Sequence, residues 1–373
     1  MDLAIIALSA RPLAASAARA GFAALSLDLF ADLDTCTHSA RCVRVHKKNG
    51  CSFDGDDLIA ALTTLSPEGL PVVLGAGLDD DLALMARIAE RNPILGNSPQ
   101  TLRVLKDPLA MSALCAHLEI PFPMATLQAG ADFGGSPVLE KKIGGAGGAH
   151  IRRHPPGHAA APAPGHFLQR EVPGTPYSLL LLAGGGRSCV VGAARQWRSG
   201  DAIHPFRYGG SVGPVTLPEP FAADILADIE RLVRSSGLVG LVSADVMVDD
   251  AGWHLVEVNP RPSQLLDIFD VDPLPPLMGL HIAACGGPPP PWLRDVAGPG
   301  QIAAGAQVTV TRRLRPGVYV LFDGVPDHHG VPGVARGISR VFRVAGDTGA
   351  APPAADAVVT AGAHGFDVPP LPG

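Results

Sequence analysis

Lysine is scarce in this chain: of its 29 basic residues only Lys47, Lys48, Lys106, Lys141 and Lys142 are lysine. Where arginine serves for nearly all surface charge, a retained ammonium is a candidate for work that a planar guanidinium does less well, such as meeting phosphate as a compact point charge. Aromatic residues are also few, at 5%, and charged residues make up only 17%. The net charge is −6 and no long basic cluster offsets it, which argues against nucleic acid or an anionic membrane as the main partner. Six cysteines include no Cys-x-x-Cys pair, so neither a zinc site nor a disulfide framework is indicated, and they read as reduced thiols of a cytoplasmic protein. No apolar run approaches the roughly 20 residues of a spanning helix. The apolar stretch 3–8 follows Asp2 rather than basic residues and leads into a strand–helix pattern, so it reads as a strand and not as a signal peptide.

What is present suits a folded protein that handles small molecules. The 373 residues, 47% of them hydrophobic, are enough for two or three domains at about 150 residues each. Strands are expected at 3–8, 23–28, 71–75 and 94–95, alternating with helices at 12–20, 56–65 and 80–90. That alternation implies a small α/β domain over residues 1–98 with a parallel sheet covered on both faces. A largely helical stretch, 99–117, follows. Strands then come in runs, at 137–142, 167–171, 178–182, 188–195, 240–248 and 253–258, with a helix at 220–235 among them. Runs of strands imply an α+β body with an antiparallel sheet. Beyond a proline linker at 288–291, segments 307–311 and 318–323 suggest a small terminal β unit, and 347–373 is a loosely ordered tail.

One segment with phosphate-binding chemistry is Val138-Leu139-Glu140-Lys141-Lys142-Ile143-Gly144-Gly145-Ala146-Gly147-Gly148-Ala149-His150-Ile151. A strand ends in lysine and enters four glycines, which permit left-handed backbone and let N–H groups close on an anion. No Gly-Lys-Ser/Thr completes a P-loop, and His150 stands where a dinucleotide fingerprint needs its third glycine. A flap over a nucleotide fits, as does a plain surface hairpin with two solvated lysines. The glycines of Gly75-Ala76-Gly77 carry less, because Asp79, Asp80 and Asp81 are explained as the cap and acidic first turn of the next helix.

A second segment runs from Ser243 to Pro262. Asp250-Ala251-Gly252 suits a three-residue hairpin loop, which pairs Asp249 with Trp253 and, counting back, Asp245 with Glu257. Opposed residues share a face about 5 Å apart, and two carboxylates so placed repel unless a cation or proton separates them. The period of two brings Asn259 and Arg261 to the same face. Asp245, Glu257 and Asn259 are hard oxygen ligands suited to Mg²⁺ or Mn²⁺, with Arg261 next to charge beyond the metal. The competing reading is an acidic solvent face; the apolar character of 240–242 and 255–258 weighs against it, and a slip of one residue in register would undo the metal reading.

In this order the residues resemble the ATP-grasp superfamily: an N-terminal α/β domain, a lysine before a helix, lysine plus a glycine flap, a hinge strand and an acidic hairpin ending in Glu-x-Asn-x-Arg. The resemblance covers roughly residues 1–285 and rests most on Glu257-Val258-Asn259-Pro260-Arg261-Pro262. It implies an ATP-grasp fold with a pre-ATP-grasp domain over 1–98, a small subdomain with the flap over 99–170, a large subdomain with the metal hairpin over 171–286, and a C-terminal β unit and tail over 287–373. It implies that Lys106 and Lys141 meet the α- and β-phosphates of ATP, with Gly147 and Gly148 over the triphosphate. Strand residues Gln169, Arg170, Glu171 and Val172 hold adenine through backbone groups. Asp245, Glu257 and Asn259 hold Mg²⁺, and Arg261 stabilises the transferring phosphoryl group. Lys142 stands where many members have proline, leaving open which lysine points inward; residues 174–178 offer no acidic ribose ligand. Arg195 is a candidate second contact to phosphate or carboxylate.

Within the superfamily the chain resembles the biotin-carboxylase-related branch of predicted ATP-dependent carboligases. Ser9-Ala10-Arg11 and Asp28-Leu29-Phe30-Ala31-Asp32-Leu33-Asp34 are similar to that branch as it occurs in methylotrophs beside genes for methanofuran-type one-carbon cofactors. More distantly it is similar to tyramine–glutamate ligase. The implied activity is ATP-dependent carboxylate–amine ligation through an acyl phosphate, on small-molecule partners such as glutamate, in a homodimer as is usual for the family. Carboxylation through carboxyphosphate and a catalytically silent nucleotide-binding protein are the alternatives. No protein nucleophile is needed for the ligation, and none is evident.

Overall fold

The computed structural model describes residues 1–290, apart from 49–51, 159, 199 and 272–273, together with two strands nearer the C-terminus. The chain opens with β1 (Leu3–Ile6), α1 (Arg11–Arg19), β2 (Ala24–Asp28), α2 (Leu33–Thr37), β3 (Arg41–Arg44), α3 (Gly55–Leu65), β4 (Val72–Leu74) and α4 (Leu82–Ala89). The strands form a parallel sheet in the order β3-β2-β1-β4. Every residue of β1, β2 and β4 is buried, as expected of strands covered on both faces. Residues 94–95, expected as a strand, contribute one bridge, Val72 to Ile94. The sheet grows from β1 through β2 to β3 on one side while β4 lies on the other. The loops that leave the carboxyl ends of β1 and β4 therefore diverge from a switch point, where open α/β sheets form a crevice. Arg11 lies on the first of these connections and Asp79 on the second.

The expected helix 99–117 is two helices, α5 (Pro99–Lys106) and α6 (Pro108–His117). Pro108 cannot donate to the preceding turn and disfavours helical backbone at the residue before it. Asp107 takes extended backbone there, and its carboxylate accepts from Leu109 N at 2.9 Å and Ala110 N at 2.8 Å, opening the second helix. Lys106 thus ends α5 at a corner. Next come the strands of a small antiparallel sheet, β5 (Ala125–Thr126), β6 (Val138–Lys142), β7 (Arg152–His154) and β8 (His166–Arg170), in the order β5-β8-β6-β7.

The largest sheet contains β9 (Thr175–Gly184), β10 (Arg187–Arg198), β11 (Tyr208–Val215), β12 (Gly240–Asp249) and β13 (Gly252–Asn259), with α7 (Ala222–Ser236), α8 (Leu266–Phe269) and α9 (Leu277–Ala284) packed around it. β14 (Val318–Phe322) and β15 (Ser339–Arg343) extend it beyond β11, giving an antiparallel order β13-β12-β9-β10-β11-β14-β15. The terminal β pair is thus attached to the central sheet; the expected segment 307–311 lies outside the described residues. No helix among the described residues is long and apolar enough to cross a membrane.

Two cores flank the large sheet. On one face Leu179, Leu181, Ala193, Val242 and Val246 pack against Ile225 and Ile229 of α7. On the other, Leu180 and Leu241 join Phe269, Met278 and the N-terminal residues Ile5 and Leu13 in one continuous cluster. Polar bonds cross the same joint. Arg11 and Asp267 form a two-pronged buried pair, and Arg19 Nη1 meets Asp270 at 2.8 Å. Asn97 donates to Val239 O and Pro260 O at 2.9 and 3.0 Å and accepts from Val239 N. Asp28, from the stretch that carries the carboligase resemblance, accepts from Ala10 N, Phe30 N and Ala31 N, which ties the start of α1 to the turn after β2.

Candidate functional site

The β12–β13 register pairs Asp245 with Glu257, and β12–β9 pairs Asp245 with Ser178. The turn is shorter than expected, since Asp249 faces Gly252 and the loop is Asp250-Ala251. Asp249 closes it by accepting from Ala251 N and Gly252 N at 2.9 and 3.0 Å. An irregularity between Asp245 and Val246 then lets Val256 go unpaired, which restores the carboxylate pair. Ser178 donates to Asp245 Oδ1, and Gln196 Nε2 donates to Ser178 Oγ and, at 3.3 Å, to the same carboxylate oxygen. Burial and the neighbouring Glu257 push the Asp245 carboxyl up to about 6. Burial would raise Glu257 as well, but the ammonium groups of Lys106 and Lys141 hold it below the usual carboxylate range.

Lys106, at the end of α5, places its Nζ 2.8 Å from Glu257 Oε1 and 2.9 Å from Asn259 Oδ1. A cation therefore already bridges two of the three oxygen ligands named from sequence. Asn259 Nδ2 lies 3.4 Å from Asp245 Oδ2, which closes the set. Among the described residues there is no cluster of three or more His, Cys, Asp or Glu fit for a metal. Two carboxylates and an amide oxygen suit Mg²⁺, which takes its other ligands from water and substrate phosphate, better than a metal that needs a full protein cage.

Of the two lysines that end β6, Lys141 is the one turned inward. Half-buried, it donates from Nζ to Gln169 Oε1 at 3.2 Å, and its ammonium lies 5.8 Å from the centre of the Phe167 ring. Burial pulls its pKa down, opposed by Glu257. Lys142 points the other way along the pleat and pairs with Asp80 at 2.6 Å in a half-exposed position. The glycine segment is the hairpin between β6 and β7. Gly147 O accepts from Tyr208 N at 2.9 Å, and a side chain on Gly148 would sit 2.0 Å from Phe206 O, so the tip is docked on the chain entering β11. His150 packs its ring on Gly145, and burial, then the Lys141 charge, lowers its pKa. In β8 Gln169 is buried; Arg170 N and Glu171 N donate to Met124 O and Pro137 O, and Glu171 accepts from Arg153 Nε at 2.6 Å. Val172 follows, half-buried.

Arg261 is 8% exposed and fixed by Asp79, whose Oδ2 accepts from Nε at 2.6 Å, while its Nη2 lies 3.3 Å from Asn259 Oδ1. The aspartate triplet needs correction. Only Asp81 caps α4, accepting from Leu84 N, whereas Asp80 holds Lys142 and the buried Asp79 holds Arg261. Arg195 also needs correction: it faces Tyr177 in register, and Tyr177 faces Val246, so it occupies the sheet face opposite to Asp245. The structure does not bring it to the carboxylates. Asp79, Ser178 and Gln196 were not legible as site residues, since only the strand pairing and the loop after β4 place them there.

Residues 109–264 match a family model described as an ATP-grasp domain. The chain is 25% identical over 230 residues to the carbamoyl phosphate synthase large chain of Deinococcus radiodurans, a match covering 56% of this chain and 22% of that protein. Among solved structures it is similar to Campylobacter jejuni biotin carboxylase in its β,γ-ATP complex (TM-score 0.59, 15% identity, covering 76% of this chain and 71% of that one). It is also similar to N5-carboxyaminoimidazole ribonucleotide synthetase of Thermus thermophilus (TM-score 0.57, 16% identity, covering 77% and 79%). With the acidic hairpin, the paired lysine strand and the glycine hairpin assembled as described, residues 109–264 form an ATP-grasp domain behind an N-terminal parallel-sheet unit.

Proposed function

We propose that the protein is an ATP- and Mg²⁺-dependent carboxylate–amine ligase that works through an acyl phosphate. The observation that carries this reading is the meeting of Lys106 with Glu257 and Asn259, opposite Asp245 and beside the inward-facing Lys141. Oxygen ligands of this kind serve a divalent cation, and the two ammonium groups serve phosphate. Asp245, Glu257 and Asn259 would hold Mg²⁺, which supplies charge neutralisation on the polyphosphate. Lys141 and Lys106 bind phosphate oxygens, the docked hairpin with Gly147 and Gly148 covers them and excludes water, and the strand Gln169–Val172 carries the base. Arg261, held in place by Asp79, stabilises the phosphoryl group during transfer. The substrate carboxylate takes the γ-phosphoryl and ADP leaves; an amine nitrogen then attacks the acyl carbon, expels phosphate and loses a proton to solvent.

The amine and acid are proposed to be of the amino-acid type, glutamate first, in the assembly of a methanofuran-type one-carbon cofactor. That part is supported by the resemblance of Ser9-Ala10-Arg11 and of 28–34 to the carboligase branch. A homodimer in the cytoplasm is the proposed working form. Phosphate release is to be measured across a panel of amino acids and amines, with glutamate and tyramine first. Substrate-driven release in the wild type, lost by at least a hundredfold in Glu257→Gln with the fold intact by circular dichroism, is the expected result. Unimpaired turnover in Glu257→Gln sinks the site assignment, and ADP formation driven by bicarbonate alone replaces ligation with carboxylation.

A further inference from the structure

We propose that His154 and His158 bind a divalent transition metal of the zinc class, on the face of the small antiparallel sheet that is turned away from Lys141 and the carboxylates. Four of the 13 histidines, His150, His154, His158 and His166, fall within residues 150–166, and the ligation chemistry gives none of them a part. Short histidine-rich tracts are a recurrent source of metal ligands. The pleat of β6 sends Lys141 to one face and therefore Val138 and Glu140 to the other. Val138 faces His154 of β7 in register, so His154 and Glu140 share that outer face. His150 does not join them, since its ring packs on Gly145 and lies near Lys141.

Glu140 is 7% exposed, and both of its oxygens are used: Oε1 accepts from Ala163 N at 2.8 Å, and Oε2 lies 2.9 Å from His154 Nε2. A carboxylate only accepts, so Nε2 carries a proton, and in the neutral ring Nδ1 keeps its lone pair. Histidines that bind metals are commonly held in this way, by a carboxylate on the second ring nitrogen, which also makes the first more basic. His158 stacks on the same ring, with centroids 3.8 Å apart and planes 19° from parallel. Two nitrogens on one tetrahedral ion, at bonds of about 2.0–2.1 Å, are about 3.3 Å apart, so a small tilt of the rings brings both to one ion. His158 also borders a cavity of about 230 Å³ against the segment 130–136, which leaves room for coordinated water. Two imidazoles are fewer ligands than the clusters of three that are absent among the described residues, and water takes the other positions. Imidazole selects zinc, copper or nickel over Mg²⁺, so this site and the oxygen set at Asp245 take different ions.

The test is calorimetric titration of zinc chloride, in excess Mg²⁺, into the whole chain and its His158→Phe, His154→Gln, Glu140→Gln and His166→Gln variants. Cu²⁺ paramagnetic resonance on the same proteins counts the nitrogen ligands. Wild type is expected to bind one zinc ion and to show two coupled nitrogens with copper. His158→Phe keeps an aromatic ring for the stack but no nitrogen, and it is expected to lose the zinc ion, as is His154→Gln. Glu140→Gln should retain one zinc ion at an affinity lower by about tenfold to a hundredfold, as for loss of the carboxylate behind a metal-bound histidine. A wild type that takes up no zinc, or zinc binding that survives His158→Phe, overturns the proposal. Equal weakening by His166→Gln also overturns it, because the tract would then be binding zinc as a loose chain. His158→Phe decides the matter if His154→Gln does not fold.

Discussion

Lys141 and Lys142 are chemically identical neighbours, and the pleat separates their roles. Lys141 is half-buried against Gln169 and interacts electrostatically with Glu257, Lys106 and Asp245, whereas Lys142 is paired at the surface with Asp80. A half-exposed ion pair contributes roughly 0–1 kcal/mol. An inward-facing ammonium at a phosphate site, by contrast, makes charge-assisted bonds. Lys141→Ala is therefore expected to weaken MgATP binding by about a hundredfold or more, and Lys142→Ala by less than about threefold, at unchanged unfolding midpoint. Calorimetric titration of the two variants side by side decides it; equal losses would mean that the strand is turned the other way when nucleotide is bound. The scarcity of lysine draws attention to five residues, and it takes the glycine segment and the family resemblance to select this pair and Lys106 over Lys47 and Lys48. It does not separate the two, because one residue of pleat phase is invisible in a strand that reads Val-Leu-Glu-Lys-Lys.

Elements were legible where one physical signal dominated. Mainly apolar runs mark the parallel strands β1, β2 and β4, and the stretches 56–65 and 80–90 mark α3 and α4 to within a residue or two. β11 was missed because Tyr-Gly-Gly-Ser-Val-Gly-Pro-Val is loop-like in composition, yet Gly213 sits where a side chain would press on Ile268 at 3.0 Å. α9 was missed because it is apolar on nearly every side and shows no helical period. The acidic hairpin is the instructive case: a three-residue turn was expected, and the two-residue turn should have shifted Asp245 away from Glu257. The bulge at Val256 cancels that shift, and nothing in an alternating apolar strand announces a bulge. The glycine hairpin offers a sharper test. Gly148 combines φ of +74° with the close approach of Phe206 O, so Gly148→Ala faces backbone strain of about 1–2 kcal/mol and a clash together. The expected outcome is an undocked hairpin: faster proteolytic cutting within 144–150 and KM for ATP raised about tenfold, with the global unfolding midpoint nearly unchanged. Gly147→Ala, whose position meets no neighbour within 4 Å, carries only the backbone strain and should show a smaller effect.

At the scale of the whole molecule, the N-terminal sheet and the ATP-grasp domain are held by groups buried between them, and one of these titrates. His281 of α9 is fully buried; its Nδ1 accepts from Leu241 N at 2.8 Å on β12, and its Nε2 donates to Leu95 O at 3.0 Å beside the N-terminal sheet. The bond from Leu241 needs the neutral ring, since a protonated Nδ1 cannot accept, and burial lowers its pKa to about 4, opposed by the bond to Leu95. In the unfolded chain the ring titrates near 6.5. Below that value the unfolded state binds a proton that the folded state refuses, so the stability linked to His281 is complete above about pH 6.5 and is lost as pH falls toward 4. The loss over that window is about 3 kcal/mol, at a slope approaching one proton. Denaturant unfolding followed from pH 7.5 to 4.5 in wild type and His281→Asn measures it. The asparagine variant is expected to be less stable at pH 7.5, because it vacates a packed position, but its stability should fall less steeply between pH 6.5 and 4.5, by about one bound proton. Parallel profiles would mean that His281 is protonated in the folded state and that the joint between the N-terminal sheet, α9 and β12 is held by other groups, foremost the buried Arg11–Asp267 pair.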